Sequence, residues 1–207
     1  MYNSINMPII RIYTDGSCLN NQNSKKGGSF GGYGCHIDYP NGMDEEFSQG
    51  ITGKKVTNNV GELMGYKMGL VRVMELGTCD VVHVYTDSTY VINTYVRDIK
   101  NWERNGWKKA NGKDIENLEL IQEIWDLMSE SGLIIILKKW KAHTVEPSRD
   151  DPTWCHWNGN NRADIIAKDC ATDMMNAHNE KKKAELIAAA VEKEKKPKVK
   201  KIKKTTV

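Results

Sequence analysis

Paired cysteines are missing from this chain. Its five cysteines (Cys18, Cys35, Cys79, Cys155 and Cys170) are odd in number, widely spread and without a CxxC step, which argues against a disulfide framework and a paired-cysteine zinc site. Met1 to Pro8 lacks the basic-then-apolar order of a signal peptide, and no glycine follows Met1 for myristoylation. No apolar run approaches the length needed to span a bilayer. Internal repeats are absent as well. These gaps lead us to expect a monomeric protein without membrane contact, in the cytoplasm or another reducing intracellular compartment.

What is present is enough for one core. A chain of 207 residues with 39% hydrophobic content can bury a single domain with an extension and is short for two. The net charge of +3 conceals a division. Residues 181–207 hold eleven lysines against three glutamates, a net of +8, so residues 1–180 carry −5. An acidic body with a basic end fits a carboxylate-rich site and a nonspecific polyanion contact, or simply a solvated tail. The expected organisation is a leader over 1–8, one domain over 9–178 with a basic protrusion at 97–117, and a Lys-rich tail over 179–207 that is partly helical and then disordered.

Ile9 to Thr14 is short, apolar and β-branched, and Asp15-Gly16-Ser17 reads as the turn that ends it. Tyr33 to Tyr39 alternates as a second strand, Pro40-Asn41-Gly42 turns, and Glu45 to Thr52 gives a third. Val60, Leu63, Met64, Leu70, Val71, Met74 and Leu76 recur at helical spacing, with Asn58 or Asn59 as cap and Gly77 as stop. A strand over Val81–Thr86, helices over Ser88–Asn101 and Leu118–Ser129, a strand over Leu133–Trp140 and a helix from Asn161 to about His178 complete the order β-β-β-α-β-α-α-β-α. This order implies an α/β fold, a mixed five-stranded sheet with parallel later strands and helices on both faces.

Four carboxylates fall at the ends of these elements: Asp15 after the first strand, Glu62 in the first turn of the first long helix, Asp87 after the fourth strand, and Asp164 in the first turn of the last helix. Singly, each has a plain structural role as a turn residue, capping box, helix cap or dipole partner. Together, at one sheet edge and without lysine or arginine partners, they repel one another, and hard divalent cations offset that cost most simply. Two magnesium ions, or manganese in their place, held about 4 Å apart suit in-line hydrolysis of a phosphodiester.

At these positions the chain resembles the ribonuclease H family, type 1, including the comparable domain of reverse transcriptases. The resemblance rests on Tyr13-Thr14-Asp15-Gly16-Ser17, Gly31-Gly32-Tyr33-Gly34, Thr57-Asn58-Asn59 with Glu62-Leu63, Tyr85-Thr86-Asp87-Ser88, Lys141-Ala142-His143, and Asn160 to Asp164. These motifs occur in family order across roughly 8–173. The resemblance implies a ribonuclease H-like fold and an endonuclease that cuts the RNA strand of RNA/DNA hybrids, leaving 5′-phosphate and 3′-hydroxyl ends. It further implies that Asp15, Glu62, Asp87 and Asp164 hold two metal ions with Asp15 bridging them. His143, on a loop after the fifth strand, is implied to assist proton transfer or product release, a task its near-neutral intrinsic pKa suits.

Substrate contacts follow from the same likeness. Residues 97–113 carry six basic and two acidic side chains with Trp102 and Trp107 interleaved, a composition suited to phosphate tracking and stacking, and similar to the family protrusion that grips the DNA strand. Tyr90 and Trp102 match positions lining the DNA groove, though Asp98 stands where some members place an aromatic. Lys55, Thr57 and Asn117 resemble a pocket for a DNA phosphate, with Lys55 in place of an arginine. Asn21, Asn58 and Asn59 match residues that meet the RNA minor groove, where 2′-hydroxyls mark RNA.

Two departures stand out. The stretch between His143 and Asp164 is long, reads as a loop, and contains His156 as a rival to His143. No basic hybrid-binding domain precedes the first strand. Competing readings are a DNA nuclease of the same fold, resembling resolvases or integrases, and a hybrid-binding module without catalysis. The second tolerates loss of a carboxylate, and here all four are present.

Overall fold

The computed structural model describes residues 8–22, 28–53, 55–77, 79–141 and 144–195. Residues 1–7 of the expected leader, His143 and the tail from 196 onward lie outside them. Five strands form one sheet: β1 (Ile9–Leu19), β2 (Phe30–Asp38), β3 (Asp44–Ile51), β4 (Val81–Thr86) and β5 (Ile134–Lys139), in spatial order β3-β2-β1-β4-β5. The first three are antiparallel neighbours, and β1, β4 and β5 run parallel. The mixed α/β sheet expected from the element order is the one observed.

Alternation along the strands sends side chains to two faces. One face places Ile10, Ile12, Val82 and Val84 against Leu63, Tyr66, Leu70 and Val73 of α1 (Asn58–Leu76), and Ile121 and Ile124 of α4 (Leu118–Glu130) join them. Between β4 and α4, α2 (Thr89–Ile92) passes through a wide π turn at Asn93–Asp98 into α3 (Ile99–Arg104). The other face carries Tyr13 and Tyr85, closed by Ala163 of α5 (Trp154–Lys195). Ala163, Ala167 and Ala171 form its buried stripe. Gly159 lets this helix lie on the sheet, because a Cβ there would come within 2.4 Å of the Tyr13 ring. Among the described residues, no helix is long and apolar enough to cross a membrane.

Three local expectations are corrected. Asp15-Gly16-Ser17 is not a turn, for β1 continues to Leu19 and pairs with β2 throughout. Gly16 serves close approach instead: a Cβ there would sit 2.1 Å from the backbone nitrogen of Glu62. The last helix begins at Trp154, not Asn161. Asp151 opens it, accepting from the Thr153 amide at 2.7 Å and hydroxyl at 2.6 Å while its carbonyl takes the Trp154 amide, and the Pro152 that follows is a usual helix-start residue. Finally, α5 crosses the expected tail boundary at 179 without a break, because the Ala-, Lys- and Glu-rich sequence there has high helix propensity.

Candidate active site

Parallel pairing of β1 with β4 builds the centre of the site. The register ends at Tyr13 opposite Tyr85, so Asp15 and Asp87 each stand two residues beyond matched positions and emerge on the same side. Ser88, not Asp87, caps the following helix, accepting from the Val91 amide at 3.3 Å. Thr57 caps α1, accepting from the Val60 amide at 3.2 Å. Glu62 therefore lies beyond the first turn and has no capping-box role, which corrects two sequence expectations.

Oxygens of Asp15, Glu62 and Asp87 all lie within 4.8 Å of one another. Burial, a carboxyl hydrogen bond with Asp164 and the charge of Asp87 push Asp15 up to about 8, against a smaller opposing effect of the Gly16 amide. Burial and the charges of Asp15 and Asp87 drive Glu62 well above the carboxylate range, and its buried Oε2 has no hydrogen-bond partner. Such a cluster of hard oxygen donors, each carboxylate raising its neighbours' affinity for protons, fits a hard divalent cation.

Asp164 joins from α5, more than two turns after the helix start rather than in its first turn. Arg162, two residues earlier, fixes this stretch over β3 through Asp44 at 2.5 Å and through Glu46. The expectation of carboxylates without a cationic partner is also corrected: Lys168 Nζ lies 2.6 Å from Asp164 Oδ2. The i,i+4 spacing was the signal that would have found it.

His156 is engaged elsewhere. Its Nδ1 lies 2.9 Å from the Tyr13 hydroxyl and its ring 4.4 Å from that of Tyr85. Eight residues before Asp164, it sits about 12 Å away along the helix axis. Burial, with Arg11 and Lys138, lowers its pKa.

The remaining sequence-derived residues fall into two groups. Asn21, Lys55, Thr57, Asn58, Asn59 and Asn117 line one cavity of about 220 Å³, which also takes in Glu116, a carboxylate that sequence reasoning missed. Tyr90 and Trp102 share a neighbouring groove of about 170 Å³ with Lys109 and the Arg97–Asp98 ion pair. The Tyr90 hydroxyl joins the two groups, accepting from Asn117 Nδ2 at 3.2 Å and donating to the Glu116 carbonyl at 3.1 Å. Trp107 is not part of this groove. Held at a φ of 62° after Gly106, it is half-buried against the main core.

Comparison with known proteins agrees with this architecture. The RNase H family model matches residues 8–172. A ribonuclease H of Pseudoalteromonas atlantica (strain T6c / ATCC BAA-1087) is 35% identical over 173 residues, covering 80% of this chain and 92% of the relative. Among solved structures, LC9-RNase H1, described as a type 1 RNase H with the type 2 active-site motif, superposes with a TM-score of 0.65 at 26% identity, covering 82% of this chain and 75% of that one. The foamy viral protease-reverse transcriptase in complex with RNA/DNA hybrid gives a TM-score of 0.60 at 20% identity over 78% of this chain and 20% of its own, a likeness of fold. The chain belongs to the ribonuclease H family.

Proposed function

We propose that this protein is an endonuclease that hydrolyses the RNA strand of RNA/DNA hybrids with Asp15, Glu62, Asp87 and Asp164 as ligands of two divalent cations. The observation that carries the reading is the meeting of three carboxylates from β1, α1 and the end of β4 within 4.8 Å in a largely buried cluster, beside a fourth from α5. Bound there, magnesium would supply activation of a water and neutralisation of the leaving oxygen for in-line displacement, giving 5′-phosphate and 3′-hydroxyl ends.

The chain's own groups orient the substrate. Asn21, Asn58 and Asn59 offer amides to the RNA minor groove. Lys55, Thr57 and Asn117 cradle a DNA phosphate at the start of α1, where backbone amides favour an anion. Tyr90 and Trp102 present aromatic surface to the DNA strand, and Trp107 supports the protrusion by packing beneath it. His143 moves a proton or aids product departure. The five free cysteines suit a reducing, nucleic-acid-containing compartment, and the site is complete within one chain.

Cleavage of a hybrid, a DNA duplex and an RNA duplex in parallel with magnesium tests the reading. Selective cutting of RNA in the hybrid is expected, and Asp87→Asn abolishes it while hybrid binding stays measurable. Preferential cutting of DNA, or undiminished turnover by the variant, overturns it.

A further inference from the structure

Two charged side chains flank Ala163 on α5, and only one of them belongs to the carboxylate site. Ala163 is fully buried and faces the sheet. At about 100° of helix per residue, Arg162 stands on one flank of it and Asp164 on the other. The flanks lie over different strands: Arg162 reaches Asp44 and Glu46 of β3, while Asp164 reaches Asp15 of β1. Because β2 runs between those strands, α5 lies astride it with an ionic anchor on one side and a site carboxylate on the other.

The anchor is organised from below. In the β2–β3 register His36 stands opposite Glu46, and Asp38 opposite Asp44. His36 is 1% exposed. Its Nε2 lies 2.9 Å from Asp38 Oδ1, and since a carboxylate only accepts, that nitrogen carries a proton. Its Nδ1 faces Glu46 at 3.6 Å and Asp44 at 3.9 Å and makes no hydrogen bond. The two β3 carboxylates are therefore held by the Arg162 guanidinium, whose planar fork suits a pair of acceptors. Little else in the contact resists turning of the helix. Under this stretch of α5 the sheet offers Gly32 and Gly34, where an added Cβ would lie 2.8 Å from the Ala167 carbonyl oxygen and 2.3 Å from that of Ala163. Glycine against alanine brings the backbones close but gives few ridges to fix the helix's rotation.

We propose that the bridge from Arg162 to Asp44 and Glu46, seated on His36, sets the rotation of α5 and so holds the Asp164 carboxylate toward Asp15 for a divalent cation. Arg162, Asp44 and Glu46 are positioning residues that act through Asp164. This role rests on the hybrid nuclease reading, in which Asp164 is a metal ligand. The lever is sensitive: turning the helix by about 20° moves a side-chain tip roughly 6 Å from its axis by roughly 2 Å. A shift of that size takes an oxygen out of the close, near-octahedral shell that magnesium demands.

Arg162→Met in the full chain tests the device by the sign of its effect. The change removes a positive charge near an acidic site, so charge alone would tighten magnesium binding. Loss of position does the opposite: affinity on the free protein, read by calorimetry, is expected to fall about 10- to 100-fold, as for other residues that orient a metal ligand. With hybrid at fixed magnesium, kcat falls while KM for the hybrid holds. Arg162→Lys, which keeps the charge but not the fork, recovers part of the loss. In an Asp164→Asn background Arg162→Met weakens magnesium no further, the non-additivity of residues that act through one carboxylate. The melting temperature changes little, since the bridge is partly exposed. Where Arg162→Met does not fold, Glu46→Gln carries the same cycle against Asp164→Asn. Magnesium affinity unchanged or tighter in Arg162→Met, or a loss that adds in full to that of Asp164→Asn, overturns the inference alone. A protein that binds magnesium but cuts no hybrid overturns the functional reading, and the isotherms then still decide the bridge. A protein that binds no magnesium overturns both.

Discussion

Lys168 Nζ stands 2.6 Å from Asp164 Oδ2, one turn along α5 from a carboxylate that also touches Asp15. A cation supplied by the protein thus relieves part of the repulsion that a metal ion relieves when it binds, and the two compete for the same charge.

Lys168→Gln tests this. The lysine is 53% exposed, so the pair contributes no more than about 0.5 kcal/mol to stability, and the melting temperature changes little. Magnesium affinity, measured by calorimetry on the free protein, is expected to tighten about three- to tenfold once the competing charge is gone. Weaker binding would show that the lysine orders Asp164 for the metal instead of opposing it.

The buried carboxyls make stability depend on pH in a direction fixed by their shifts. Asp15 is pushed from an ordinary 3.8 up to about 8, and Glu62 moves the same way. Between about pH 4 and pH 8 the folded protein therefore holds protons that the unfolded chain has released, and cation-free stability falls as pH rises through that window. Cation binding needs the ionised carboxylates, so it releases protons and tightens over the same range. Melting curves in EDTA should decline from pH 5 to pH 9, and the stabilisation by added magnesium should grow. A flat EDTA profile, or magnesium stabilisation greatest at pH 5, contradicts the buried-cluster account.

Much of this was readable in the chain. Alternating and helical periodicities set the element order, and the apolar β-branched runs ending at Thr14 and Thr86 placed Asp15 and Asp87 at equivalent points of strands that prove to be parallel neighbours. Gly77 ends α1 in the left-handed conformation as its position implied. Legibility failed where a residue's role depends on a distant partner. Gly16 looks like a turn glycine until α1 is packed against it. Gly159 and the tryptophans before it look like loop until the sheet beneath supplies Tyr13. Trp107, partly buried on the main core at a left-handed backbone position, stands outside the groove that Tyr90 and Trp102 share.

The closeness of Gly16 to α1 gives a packing prediction. A methyl group there meets the Glu62 nitrogen at 2.1 Å and the Gly61 carbonyl carbon at 2.3 Å, and these are backbone atoms that no side-chain rotation can move aside. Gly16→Ala is expected to cost about 3 kcal/mol or more, the upper range for overpacking, and to push Glu62 away from Asp15. Denaturant unfolding measures the first effect and magnesium calorimetry the second. A variant with unaltered stability would mean that α1 slides freely over β1.

The last prediction concerns the basic end. From Lys181 to Glu192 every side chain on α5 is exposed, and the ring contact of His178 with Phe30 at 5.0 Å lies before that stretch, so residues 181–192 give nothing to the core. The melting temperature should hold. The deletion removes a net charge of +8 from a body that carries −5, and the loss of each phosphate contact lowers the slope of log affinity against log salt by about 0.9. Hybrid binding at low salt is therefore expected to weaken and its salt dependence to flatten, while turnover at saturating hybrid stays as it was, because all four carboxylates precede the cut. An unchanged salt slope assigns the lysines to solvation, and a fall in saturated turnover places part of the tail at the site itself.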